Sequence, residues 1–305
     1  MAEPAQIEKY TAIKRISDDA SEDAFLDVGE PYVVQIATFG GRTLAQSVLA
    51  AQATVSDEFA TCTVQSVFLN AGDAHEPTTY KVERASDTRT FAVRVVHAFQ
   101  GDLEITTSTV RLQKIAEEGK AGQLKPYSTA MVDMGNAAPE NMKSGFGEEY
   151  CRALGYTPEI WEMGPTEAFD WRHVPFLIDT PDRPDQFRMR SFVKTESPMQ
   201  SDHQASHFAA LAWISDLYFV PSAILANYAS ITKADKLVKL SSTLNHAITF
   251  HEQMPRMDRD WIAVERKTTW SDGGRLHLEQ RMWNKTTGKM VMSSTQDLLV
   301  RLSNL

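Results

Sequence analysis

One carboxylate in this chain stands where burial would make it reactive. Asp216 lies in the middle of the most apolar stretch, Phe208 to Ile231, and no other charged residue falls within it. On a helix, its neighbours three and four positions away would be Ala212, Trp213, Phe219 and Val220, a face with no polar route to water. An uncompensated buried carboxylate is costly, and its proton affinity is set by its surroundings. Two readings follow: an acid that escapes to solvent past small neighbours such as Ser215, or a proton acceptor in a desolvated site. Histidines offer further bases, namely His246 and His251 in NHAITFH, and His203 and His207 close to Asp202. The last group has no further ligands at a metal-binding spacing, so helix capping and solvent exposure are expected there. No Gly-x-Ser-x-Gly elbow occurs, and serine hydrolase chemistry of that type has no support.

The elements that must hold such an acid can be read from patterning. With 305 residues, 42% hydrophobic and 23% charged, the chain has a soluble globular composition and room for one large domain or two ordinary ones. A net charge of −9 argues against an electrostatic partnership with nucleic acid or an anionic membrane. Cys62 and Cys151 are too few and too far apart for a disulfide framework or a zinc site, so reduced thiols in an intracellular compartment are expected. The N-terminal segment lacks the apolar core of a secretory signal and carries acids that mitochondrial presequences avoid, which points to the cytosol. The terminal Ser-Asn-Leu only loosely resembles the peroxisomal Ser-Lys-Leu address. Although the stretch from Phe208 is long enough to cross a bilayer, Asp216 and Pro221 interrupt it, and a buried core helix is the expectation.

The chain also repeats itself. Val82-Glu83-Arg84 recurs as Val264-Glu265-Arg266 at an offset of about 182, and Phe68 and Phe250 keep that register in the alternating segments CTVQSVFL and TLNHAITF, which read as strands. Each half then passes a Gly-containing turn into a Ser/Thr-rich run, TTSTVRLQK or SSTQDLLVR, where the offset becomes about 187. A long apolar helix precedes each strand set, Gly41 to Val55 in the first half and about Ser206 to Asn227 in the second. Each half thus reads as one helix covering an antiparallel sheet, with repeats at residues 1–115 and 166–305. The Gly-, Met- and Pro-rich segment 116–165 reads as a partly mobile linker, with a short helix around Gly147 to Leu154 and with Met131, Met134 and Met142 docking it onto the body.

One helix wrapped by a long antiparallel sheet, occurring twice, resembles the α+β double hotdog architecture, and the motifs resemble the type II acyl-CoA thioesterase family. FGGRTLAQSVLAAQATV is similar to that family's opening helix and SVFLNAGD to its first-half strand end. In the second half ALAWISDLYFVP, STLNHAITFH and SSTQDLLVR are similar to its acid-bearing helix, its His-containing strand and its terminal Gln-containing strand. The resemblance implies a water-activating trio of Asp216, Thr243 and Gln296, with no metal or organic cofactor. Asp216 would accept the water's proton, while Thr243 and Gln296 supply hydrogen bonds that hold the water and satisfy the carboxylate. Such bonds oppose the desolvation of the charged form, which would reconcile the acid with its apolar setting.

The departures and rivals bear on partners. Asn245 stands where the family has Asp before the strand His, and FLNAGD replaces FLRPGD, losing an Arg at Asn70 and a Pro at Ala71. The thiol carrier is therefore either coenzyme A or an acyl-carrier protein, with fatty or polyketide acyl chains as cargo. A non-catalytic acyl-thioester-binding protein is the alternative from another class. Alternation places His246 and Thr243 on opposite faces of a regular strand, so His246 is expected to be a structural residue bonded to backbone. Asp73 and His75 in NAGDAH faintly resemble the pair of hotdog hydratases, but their spacing is that of a tight turn. Trp161, Trp171 and Trp213 are candidates for an acyl channel or for core packing, and Arg42, Arg266 and Lys267 for phosphate contacts. The resemblance further implies a homodimer.

Overall fold

The computed structural model describes residues 3–17, 22–32, 37–115, 125, 127–145, 168–174, 183–200, 204–227 and 236–304. One antiparallel sheet of twelve strands runs through both halves in the order β1-β2-β4-β5-β6-β3-β9-β12-β11-β10-β8-β7. The first half supplies β1 (Ile13–Arg15), β2 (Asp23–Asp27), β3 (Phe59–Phe68), β4 (Thr79–Asp87), β5 (Phe91–Gln100) and β6 (Leu103–Lys114). The second supplies β7 (Phe169–His173), β8 (Met189–Thr195), β9 (Lys236–Phe250), β10 (Ile262–Asp272), β11 (Arg275–Asn284) and β12 (Met290–Asn304). Read outward from the β3–β9 junction, the two halves follow the same sequence of strands, so the repeat in the amino acids is a mirrored order in the sheet. Both Val-Glu-Arg motifs fall in corresponding strands, β4 and β10, and Phe68 and Phe250 close β3 and β9.

Among the described residues four α-helices accompany the sheet: α1 (Gln6–Thr11), α2 (Gly40–Gln52), α3 (Gln204–Asp216) and α4 (Phe219–Ala226). Leu44, Ala45, Val48 and Ala51 of α2 are fully buried, as the i, i+4, i+7 spacing requires of a face laid on a sheet. In α3 every residue from His207 to Ser215 is buried, so this helix is enclosed on all sides. The two pack directly on one another. A Cβ placed on Gly41 would lie 2.7 Å from the Trp213 carbonyl oxygen, an approach that only glycine allows.

The single helix expected from Ser206 to Asn227 is in fact two. Asp216 ends α3, and Tyr218 takes a left-handed backbone conformation (φ 66°) before α4 begins. Pro221 then sits in the first turn of α4, where its missing N–H breaks no intrahelical bond. Residues 204–226 are long and apolar enough to cross a membrane by length and composition, and 78% of an 18-residue window within them is buried in the protein. Of the linker, Met131, Met134 and Met142 pack with Phe192, Ala263 and Trp261, docking residues 131–142 onto the second half. The helix expected around Gly147 to Leu154 lies outside the described residues, as do Cys151 and Trp161.

Candidate active site

The break after α3 leaves Asp216 at a helix end facing the centre of the sheet, its side chain 9% exposed. Gln296 of β12, buried in the middle of its strand, reaches across to it. Its Nε2 donates to Asp216 Oδ1 at 2.6 Å and to Thr243 Oγ1 on β9 at 2.5 Å. A carboxylate can only accept hydrogen bonds, so the amide must turn its NH2 toward the acid. Thr243 Oγ1 accepts from Gln296, which leaves its own hydroxyl hydrogen free for a further acceptor. The three residues named by the resemblance therefore converge from three elements.

Thr243 reaches this face through a bulge that strand alternation does not reveal. Gln296 is opposite His246, Asp297 opposite Asn245, but Leu298 is opposite Thr243, so Leu244 is an extra residue in β9. The inserted residue inverts the pleat, and Thr243 and His246 share the inner face instead of lying on opposite ones. His246 is not bonded to backbone as expected. Its Nε2 is 3.1 Å from Ser215 Oγ, and that hydroxyl donates to the Ala212 carbonyl at 2.7 Å, so Nε2 is the donor of the pair. Nδ1 is buried without a hydrogen-bond partner among the described residues and faces Asp216 Oδ1 at 3.8 Å. Ser215 and His246 thus stand beside Asp216, although periodicity alone assigns them to the core.

The opposite wall comes from the first half. A Cβ on Gly40, the first residue of α2, would lie 2.8 Å from Asp216 Oδ2 and 3.1 Å from the Phe68 ring. The start of α2, where backbone N–H groups lack intrahelical acceptors, therefore abuts the carboxylate. Phe39, Tyr32, Tyr10 and Trp213 form an aromatic cluster one turn back, with Tyr32 and Trp213 edge to face at 4.7 Å and Tyr10 stacked on Trp213 at 5.7 Å. Burial, with the nearby Tyr218, Tyr10 and Asp216 adding to it, pushes the Tyr32 phenol far above its ordinary range. A cavity of about 200 Å³ lined by Tyr32, Thr38 and Phe39 opens beside this end of α2. The end of α3 is held from the sheet: Arg266 donates to the Ile214 carbonyl at 3.4 Å and Gln280 to that of Ser215 at 3.3 Å, satisfying two terminal carbonyls.

The remaining candidates are engaged elsewhere. Arg42 is buried on Asp27 through bonds of 3.0 and 2.8 Å, Arg266 is buried over the Trp171 ring, and Lys267 pairs with Glu279 at 2.9 Å, so the three expected phosphate contacts are internal ion-pair or packing residues. Asn245 is exposed on the outer face, 3.4 Å from Asp297, and a carboxylate there would not meet Asp216. His251, just past the end of β9, bonds Ser293 of β12 at 2.9 Å, away from the trio. His207 is buried rather than exposed, its Nδ1 accepting from the Met257 N–H at 3.2 Å, while Asp202 and His203 lie outside the described residues. Asp73 accepts from the His75 N–H in a tight turn. Among the described residues no group of three or more His, Cys, Asp or Glu side chains is placed to hold a metal ion.

Comparison with known proteins bears on this arrangement. Residues 30–113 match the acyl-CoA thioesterase N-terminal domain and residues 148–300 the acyl-CoA thioesterase C-terminal domain. Over 273 residues the chain is 23% identical to acyl-coenzyme A thioesterase 8 of Mus musculus, covering 87% of this chain and 80% of that one. Over 73 residues, 24% of this chain and 21% of the other, it is 37% identical to peroxisomal acyl-coenzyme A thioester hydrolase 1 of Saccharomyces cerevisiae. The fold matches that of an acyl-CoA thioesterase II from Mycobacterium marinum with a TM-score of 0.72 at 23% identity, over 97% of both chains.

Proposed function

Because the chain belongs to the acyl-CoA thioesterase family, we propose that Asp216, Thr243 and Gln296 catalyse the hydrolysis of acyl-CoA thioesters by direct attack of water. The observation that carries this reading is the single Gln296 amide bonded at once to a buried carboxylate and to a strand hydroxyl. A water held between Thr243 and Asp216 gives its proton to the carboxylate as its oxygen bonds to the acyl carbon. The carbonyl oxygen takes up negative charge, which backbone N–H groups at the start of α2 face from across the site. The C–S bond then breaks, and the thiolate of coenzyme A recovers the proton from Asp216. The first repeat contributes the α2 wall and the approach beside Tyr32 and Phe39, while the second carries the reacting groups. His246, tied to Ser215, packs behind the carboxylate.

Coenzyme A is the thiol carrier of this reading, and the product acid is a fatty or polyketide chain. Placement in a peroxisome, as a second compartment beside the cytosol, rests on the likeness to the yeast protein. A homodimer would have to form away from β3 and β9, whose edges already pair with each other within one chain.

The test is Asp216→Asn. Asparagine keeps the shape and can still accept from Gln296, but it removes the proton acceptor. Thiol release from acyl-CoA should fall by about 10²–10⁴-fold, while the melting temperature holds or rises because a buried charge has been removed. Hydrolysis at the wild-type rate would refute the assignment.

A further inference from the structure

The symmetry that builds the hydrolytic site builds a second one at the other end of the helix pair. Gln65 pairs with Ala247 across the β3–β9 junction, and these two positions are equivalent in the repeat, so a pseudo-dyad passes between them. Under it Thr61 corresponds to Thr243: each precedes a bulged residue, Cys62 or Leu244, and each faces a leucine, Leu112 or Leu298. Val110 corresponds to Gln296, because it is the strand partner of Val64 as Gln296 is of His246. The offset there is therefore one residue shorter than the 187 read from the sequence. That residue decides the identity, since it replaces the outward Thr109 by the buried Val110.

Gln52, the last residue of α2, corresponds to Asp216, the last residue of α3. The geometry bears the correspondence out. Thr61 Oγ1 donates to Gln52 Oε1 at 3.0 Å, and Gln52 Nε2 donates to the Phe59 carbonyl at 2.5 Å. A helix-end side chain and a strand hydroxyl meet here as they do at the other end, with an amide in place of the acid and an apolar side chain in place of the bridging amide. Beside them opens a cavity of about 660 Å³, lined by Ile13, Phe25, Leu49, Val55 and Phe59, with Ala205 of α3 on the facing wall.

We propose that this cavity binds a second acyl thioester and holds it unhydrolysed. The inference rests on acyl-CoA as the substrate class of the opposite site, because the dyad gives both ends the same frame of helix end, bulged strand and hydroxyl. Arg15, Asp57 and Gln204 stand at the cavity beside its apolar side chains, and its size lies within the range of ligand sites, about 300–1,000 Å³. Gln52 has no basicity with which to take a proton from water, and Val110 offers no hydrogen bond to orient one. A neutral helix end also lets an apolar chain lie close without desolvating a carboxylate. Binding without turnover is what these substitutions leave.

The experiment is calorimetric titration of the full chain with S-dodecyl-coenzyme A, a thioether that cannot be hydrolysed, below its micelle concentration. Two molecules per chain are expected for the natural protein. One is expected for Ala53→Trp, whose indole enters the cavity from the exposed end of α2, with turnover of dodecanoyl-CoA retained. Ala205→Trp fills the cavity from the facing wall and gives the same result should the first variant not fold. A count of one for the natural protein, or of two in either folded tryptophan variant, overturns the proposal. Asp216→Asn keeps the two readings apart: wild-type hydrolysis in that variant would remove the catalytic assignment, while the thioether count would still report on the cavity.

Discussion

Gly40→Ala replaces one hydrogen by a methyl group, and the structure says where that group goes. The new Cβ would stand 2.8 Å from Asp216 Oδ2 and 3.1 Å from two atoms of the Phe68 ring. A relaxed C···O approach is about 3.3–3.6 Å, so the carboxylate and the start of α2 must part by roughly 0.5 Å or more. Misplacing a reacting group by 1 Å can cost about 10²-fold, so half that displacement corresponds to about tenfold in kcat, or roughly 1.4 kcal/mol of barrier. Stability should move little. Gly40 does not have a positive φ, so alanine meets no backbone objection and favours the helix by about 0.5–1 kcal/mol, offsetting the local repulsion. The assay is continuous release of coenzyme A thiol across a range of substrate concentrations, beside a thermal melt of the same preparation. A kcat lowered about tenfold with the melting temperature within a few degrees supports the reasoning. Unchanged kcat would refute it, because the carboxylate would then tolerate displacement that no proton acceptor in a fixed geometry can.

His246→Gln removes the nitrogen that faces Asp216 and retains a polar group near Ser215. If His246 braces the carboxylate, kcat should fall by about three- to tenfold with KM unchanged, whereas equal losses in kcat and thermal stability would reduce it to packing. His173 provides a pH prediction independent of catalysis. Its ring nitrogens are sealed from solvent although the residue as a whole is half-buried, and burial, reinforced by Arg266, lowers its pKa to about 3. The unfolded chain therefore binds a proton at this position between about pH 6.5 and 3 that the folded chain refuses. Stability is full above that window and declines as the pH falls through it, by up to roughly 1.4 kcal/mol per unit. His173→Phe keeps the ring stacked on Trp171, and its urea midpoint should decline less between pH 7 and pH 5 than that of the natural protein. Parallel declines in the two proteins would assign the acid sensitivity elsewhere.

How much of this was legible beforehand depends on what each feature does to the spacing of residues. The Val-Glu-Arg repeat and the two aligned phenylalanines survive as text because β4, β10, β3 and β9 keep constant register over those stretches. The isolation of Asp216 is likewise a property of the linear sequence. The bulge at Leu244 leaves no such trace: Leu244, His246, Ile248 and Phe250 alternate as if continuous, and an apolar residue at the inserted position hides the inversion of phase. The end of α3 is hidden for a similar reason. Residues on both sides of Tyr218 are apolar all round, so no change of periodicity marks the turn, and Pro221 is as compatible with a new helix as with a kinked one. Gly40 could be named as a close-approach residue, but what approaches it, a carboxylate from the other half 176 positions later, is set only by the sheet that joins the halves.

That joining also accounts for there being one acid rather than two. Because β3 and β9 pair about a pseudo-dyad, any side chain at the end of α2 is brought to a bulged strand and a threonine just as Asp216 is. A carboxylate at Gln52 would require its own partner on β6, and with valine at position 110 it would be a half-buried charge lacking the bridging amide. Such a charge is destabilising unless it is paired and hydrogen-bonded. Glutamine keeps the hydrogen bond to Thr61 and carries no charge to desolvate. The two substitutions are therefore coupled: restoring the acid alone should destabilise the chain, and only the paired change, Gln52→Asp with Val110→Gln, would give the second end the arrangement that supports its counterpart.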